Sequence, residues 1–211
     1  MNGFEARPGD ALIIVDPQVD FCPGGALAVA GGDEIMAGIV DLASSFDLVV
    51  VTQDWHPKGH ASFATSHEGA SPFGTTLMPY GEQVLWPDHC VQGSPGADFH
   101  PMLAPAVERA HLILRKGFHP GIDSYSAFYE NDRTTRTGLA GYLRDKGAGR
   151  CVLVGLAYDF CVAYSAVDAV RDGFGAIVLK DLTRAIAMPS GGGTTVDEAE
   201  ARFRDAGVAM G

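Results

Sequence analysis

At 211 residues the chain is long enough for one well-buried core, so a single domain spanning Met1 to Gly211 is the expectation. Its formal net charge of -11 argues against nucleic acid as a partner, because 15 Lys and Arg against 26 acidic residues leave no basic cluster to displace counterions from phosphates. No apolar stretch approaches a membrane span, the start from Met1 to Pro8 lacks a secretory layout, and Cys22, Cys90, Cys151 and Cys161 are too scattered for a disulfide framework. A soluble, cytoplasmic protein with reduced thiols is expected.

In chain order, the apolar run Ala11 to Val15 reads as a buried strand, and Asp16 directly follows it. Asp33 to Ser44 carries Ile35, Met36, Ile39, Val40 and Ala43 at helical spacing. A second strand, Leu48 to Thr52, leads to Asp54. From Gln53 to Ala110 there is much Gly and Pro and no clear period, which reads as elaborate loops that build a site. Leu112 to Leu114 is a third strand, ahead of Lys116. Thr137 to Lys146 looks helical, and Cys151 to Val154 is a fourth strand, ended by Gly155 and followed by a helix from Cys161 to Arg171. Ala176 to Leu179 is a fifth strand. Gly191-Gly192-Gly193 reads as a flexible loop, and Thr195 to Glu198 as a capping box opening a last helix that Gly207 stops near Ala206. Strand–helix alternation of this kind predicts an α/β fold: three α/β/α layers around a mostly parallel central sheet of about six strands.

Ligands in such sheets gather at the carboxyl ends of the strands. Asp16, Asp54, Lys116 and Cys161 each follow a strand, so four reactive side chains are expected to meet at one edge. Cys161, at the first turn of its helix, faces unpaired N–H groups and the positive end of the dipole, which favours thiolate. Taken alone, it reads equally as a buried structural cysteine. Asp16 alone could be a cap, and Lys116 an ordinary strand-end charge. Together they suggest a carboxylate base, a fixed cation and a nucleophile. Asp54, His56 and His60 fall within seven positions, and His89 offers a fourth metal ligand. One Asp and three His suit a single divalent ion: Zn first, then Fe or Mn.

These segments carry a resemblance: Asp16-Pro17-Gln18-Val19-Asp20-Phe21-Cys22, Asp54-Trp55-His56-Pro57, Trp86-Pro87-Asp88-His89-Cys90, Asp123-Ser124-Tyr125-Ser126 and Gly155-Leu156-Ala157-Tyr158-Asp159-Phe160-Cys161. In them the chain resembles the nicotinamidase/pyrazinamidase family of the isochorismatase-like superfamily over essentially its whole length. The resemblance implies a catalytic triad of Asp16, Lys116 and Cys161 and metal ligands Asp54, His56, His60 and His89. It also implies an oxyanion hole from the N–H groups of Ala157 and Cys161, beside a cis Leu156-Ala157 peptide. Phe21, Leu27, Trp86 and Tyr125 would line the pocket around a pyridine ring. Activity on nicotinamide and pyrazinamide, feeding NAD salvage, is implied in the same way. Phe160 departs from relatives that carry histidine before the nucleophile. The alternatives are a related carboxamide or N-carbamoyl hydrolase with the same triad, and a catalytically idle binding module.

Overall fold

In the computed structural model residues 4–211 are described, so Met1 to Gly3 of the leading segment lie outside the described residues. Ten strands are described: β1 Asp10–Val15, β2 Val49–Asp54, β3 Thr75–Met78, β4 Gly81–Val84, β5 Leu112–Lys116, β6 Arg150–Leu156, β7 Gly175–Arg184, β8 Pro189–Ser190, β9 Gly193–Thr194 and β10 Ala209–Met210. The α-helices are α1 Met36–Ala43, α2 Ala104–Arg109, α3 Leu139–Asp145, α4 Ala163–Arg171 and α5 Thr195–Ala206. Six strands form the central sheet in the order β10-β7-β6-β1-β2-β5, every neighbouring pair parallel.

The continuous apolar runs read from the sequence are the inner strands. Leu12 to Ile14 of β1 pair with Val49 to Val51 on one side and Val152 to Val154 on the other. All six residues of β1 are buried, as a strand covered on both faces requires. At the sheet's edge β5 alternates half-buried and exposed positions up to the buried Lys116, leaving Ile113 at the surface.

From β1 the chain crosses to β2 in one direction, and from β6 to β7 in the other. Right-handed crossovers in opposite directions put α1 and α4 on opposite faces of the sheet and create a switch point between β1 and β6. Gly155 makes that juncture: at φ 106° it lies so close to β1 that a Cβ would stand 2.2 Å from the carbonyl oxygen of Val15. The crevice beyond these strand ends receives Asp16 from β1 and Cys161 from the turn after β6.

Three expectations need correction. The capping box closes one residue earlier, on Thr194 and Asp197, because Thr194 takes the extended backbone of a cap. The triple glycine belongs to the small β8–β9 hairpin, with the left-handed Gly191 and Gly192 as its turn and Gly193 opening β9. Within Gln53 to Ala110 the antiparallel β3–β4 hairpin and the short α2 break up the expected loops. No helix of the described residues is long and apolar enough to cross a membrane.

Gly155→Ala combines an unfavourable φ with an overpacked switch point, and unfolding in denaturant is expected to show a loss of about 3 kcal/mol.

Candidate active site and metal centre

The terminal residue of β5, Lys116, is 1 % exposed, and its ammonium sits where four chemistries converge. Nζ donates to the Asp54 carboxylate, to the Ser124 carbonyl at 2.9 Å and to Cys161 Sγ at 3.5 Å. Those bonds use all three of its protons. Asp16 Oδ2, only 2.8 Å from Nζ, is therefore ion-paired without a hydrogen bond of proper geometry. The other oxygen, Oδ1, accepts from Thr52 at 2.6 Å. Oxygens of Asp16 and Asp54 and the Cys161 sulfur lie within 4.8 Å of one another.

Burial pushes the Asp16 carboxyl up to about 6 against the pull of Lys116. The Cys161 thiol is driven well above its ordinary value by burial and by the Asp16 and Asp54 charges, which together outweigh Lys116. The pull of a helix end toward thiolate is outweighed here. The sulfur lies in a single π-helical turn, Tyr158–Val162, ahead of α4, where its carboxylate neighbours matter more than a helix end. A thiol facing an open carboxylate lone pair is arranged for proton transfer. Ala157 precedes that turn, joined to Leu156 by the expected cis peptide.

Asp54 also faces the histidines. Its Oδ2 lies 3.6 Å from His56 Nε2 and 3.9 Å from His89 Nε2. Each ring is oriented from behind: His56 Nδ1 donates to the Gly117 carbonyl at 2.9 Å and His89 Nδ1 to that of Pro87 at 2.8 Å. Carbonyls only accept, so in the neutral ring each Nε2 carries its lone pair on the side of Asp54, while the Asp54 charge, against burial, draws the His56 ring above its ordinary value. Two ligands at about 2.1 Å from a tetrahedral ion stand roughly 3.4 Å apart, close to the spacing found, so the donor set fits a divalent metal. Burial and the nearby His56 bring His89 down to about 4, leaving it neutral as a ligand must be. Gly117, left-handed at φ 65°, is required here, since a Cβ would meet the His56 ring at 2.5 Å.

The fourth expected ligand does not join them. His60 Nε2 donates to the carbonyl of His119 at 2.9 Å, and its Nδ1 accepts from Ser62. With both nitrogens engaged, His60 groups instead with His56 and Asp123. Hydrogen bonding to a carbonyl three positions past Lys116 is invisible in the local spacing.

Cys161 and the Asp54–His56–His89 cluster share the lining of one cavity of about 320 Å³, open mouth included. All four expected pocket residues, Phe21, Leu27, Trp86 and Tyr125, line it. Trp86 and Tyr125 meet edge to face at 6.1 Å, and the Tyr125 hydroxyl accepts from Trp86 Nε1 and Gln83 Nε2. Three further lining residues, Asp123, Phe160 and Ile186, were not among the expected site residues. Position next to the nucleophile signals Phe160. Ile186 lies beyond β7, where no sequence signal marks it.

This fold and site define a class. The chain belongs to the isochorismatase family, whose Isochorismatase domain matches residues 10–203. Among curated relatives, the nicotinamidase of Acinetobacter baylyi is 55 % identical over 178 residues, covering 84 % of this chain and 82 % of that protein. A solved Acinetobacter baumanii nicotinamidase/pyrazinamidase superposes with a TM-score of 0.92 at 48 % identity, covering 98 % of this chain and 97 % of the other. A pyrazinamidase of Pyrococcus horikoshii solved in complex with zinc has a TM-score of 0.74 at 33 % identity, covering 97 % and 99 %.

Lys116→Met strips both buried carboxylates of their cation, and an urea titration is expected to show about 3–5 kcal/mol lost.

Proposed function

We propose that this chain hydrolyses nicotinamide to nicotinate and ammonia, and pyrazinamide likewise, as one catalytic unit from Met1 to Gly211. The observation that carries the reading is the Cys161 sulfur 3.5 Å from Lys116 Nζ, in a cavity whose further lining includes Asp54, His56 and His89. A flat heteroaromatic amide has two ends to recognise, a carboxamide and a ring nitrogen, and the cavity offers one chemistry for each. Phe21, Trp86 and Tyr125 supply apolar and aromatic faces for the ring. The two Acinetobacter relatives carry the same activity in their names.

In this mechanism Asp16 takes the thiol proton as Cys161 forms the bond to the carboxamide carbon. The oxyanion is stabilised by the N–H groups of Ala157 and Cys161. Asp16 returns the proton to the nitrogen, the carbon–nitrogen bond breaks, and ammonia leaves a thioester. Water then gives its proton to Asp16 and attacks the thioester, and the sulfur departs with that proton as nicotinate is released. Lys116 balances the negative charge at each stage. A divalent ion held by Asp54, His56 and His89, zinc first and iron or manganese next, would supply a Lewis acid for the pyridine nitrogen. The cytoplasm is the proposed location, with nicotinate passed to NAD salvage; four free cysteines, all buried, accord with it.

Cys161→Ala is expected to lower ammonia release from nicotinamide by at least about a thousandfold while the protein stays folded. Near-normal turnover would end the covalent route. Elemental analysis after dialysis against zinc is expected to give about one ion per wild-type chain, the same for His60→Ala, and a clear loss for His89→Ala. Equal loss in both variants would return His60 to the ligand set.

A further inference from the structure

We propose that a second chamber, behind Phe160, is a binding site for the ring substituent of a heteroaromatic amide, and that Phe160 is the partition excluding such substrates. The proposal rests on the amide-hydrolase reading above and extends it to specificity. Against the catalytic cavity lies a larger one of about 920 Å³, open mouth included, and only Tyr125 and Phe160 line both. The two shared walls are held differently. Tyr125 is pinned through its hydroxyl by Gln83 at 2.9 Å and Trp86 at 3.2 Å. The Phe160 ring has no polar atom and packs edge to face on its neighbours, its centroid 4.9 Å from that of Trp86 and 5.5 Å from that of Tyr125. Removing that ring joins the two spaces. The backbone bond from Phe160 N–H to the Ala157 carbonyl, at 3.1 Å, survives the change, so the turn carrying Cys161 is kept.

The chamber's chemistry names the class of substituent. Inside the chamber the charged groups are spent on partners, Arg202 pairing with Glu198 at 3.3 Å and the Asp159 carboxylate accepting the N–H groups of Ile186 and Ala187, while the remaining acid, Glu82, is exposed to solvent. Phe73 and Tyr164 add aromatic surface. An uncharged aromatic group therefore suits it better than an ion. On a pyridine-3-carboxamide, carbon 5 is the ring position turned away from both the amide and the ring nitrogen. With those two groups anchored, a substituent at carbon 5 has to pass through a wall of the cavity.

The test compares nicotinamide with 5-phenylnicotinamide by ammonia release in wild type, Phe160→Ala, Phe160→Leu and Leu27→Ala. Leu27 lines the catalytic cavity and not the chamber. The expected result is a kcat/KM ratio, phenyl over plain, at least about tenfold higher in Phe160→Ala, with a smaller rise in Phe160→Leu and none in Leu27→Ala. Adding Ser190→Trp, which fills the chamber, is expected to reverse the gain. An unchanged ratio in both Phe160 variants, an equal gain from Leu27→Ala, or a gain that survives Ser190→Trp overturns the proposal. Should Phe160→Ala fail to fold by circular dichroism, Phe160→Leu gives the same reading. Wild type inert on nicotinamide would instead sink the activity itself, so the two failures are distinct.

Discussion

A single buried ammonium organises the site. Lys116 has its methylenes inside the protein and its Nζ against Asp16, Asp54 and Cys161, with no solvent to share the charge. Two carboxylates this close repel one another strongly at low dielectric, and burial would neutralise both. The lysine makes the pair tolerable, while the two anions, outweighing burial, keep the lysine charged, well above its ordinary value. Such a cluster is weak evidence for stability but strong evidence of purpose, since apolar residues of equal size would pack the same space at less cost.

The lysine can act in this way because of the sheet. Parallel strands all point their carboxyl ends the same way, so the last residue of β5 and those just past β1 and β6 reach one crevice from far apart in the chain. The close approach at Gly155 draws the β6 end against β1, and the left-handed Gly117 lets the segment after Lys116 fold under His56. Asp16 and Cys90 hold positive φ without being glycine, at 45° and 46°, beside the nucleophile pocket and the His89 ligand. Strain of this kind persists where surrounding packing over-determines the backbone, and both residues are fully buried.

Much of this was legible because it follows from period and position. Apolar runs mark the inner strands, and the rule of strand ends is enough to bring Asp16, Asp54, Lys116 and Cys161 together. What stayed hidden depends on contacts distant in sequence. Ring orientation decides whether His60 can bind a metal, and that is set by the His119 carbonyl across a loop. The ionisation of Cys161 follows from two carboxylates on other strands, which a reading of its own helix could not weigh. Ile186 enters the cavity because Asp159 grips its N–H at 3.0 Å, a bond spanning from the nucleophile's turn to the loop beyond β7. The β3–β4 hairpin is short, and its alternation is half exposed, so it left no apolar period to detect.

The two carboxylates on Lys116 illustrate how environment assigns roles to identical groups. Both begin under the same desolvation, and both feel the same cation. Asp54 has His56 in addition, and with the lysine it overcomes burial and holds the carboxyl far below the usual range. Asp16 faces no histidine; burial prevails, the Asp54 charge adds to it, and its carboxyl rises to about 6. An acid in that range exchanges a proton readily near neutrality, whereas one held permanently ionised serves only as an anion. In the proposed mechanism this environment suits Asp16 to the base and Asp54 to a cation ligand. That division comes from which strand end lies beside the histidine loops, a consequence of the order β1-β2-β5 in the sheet.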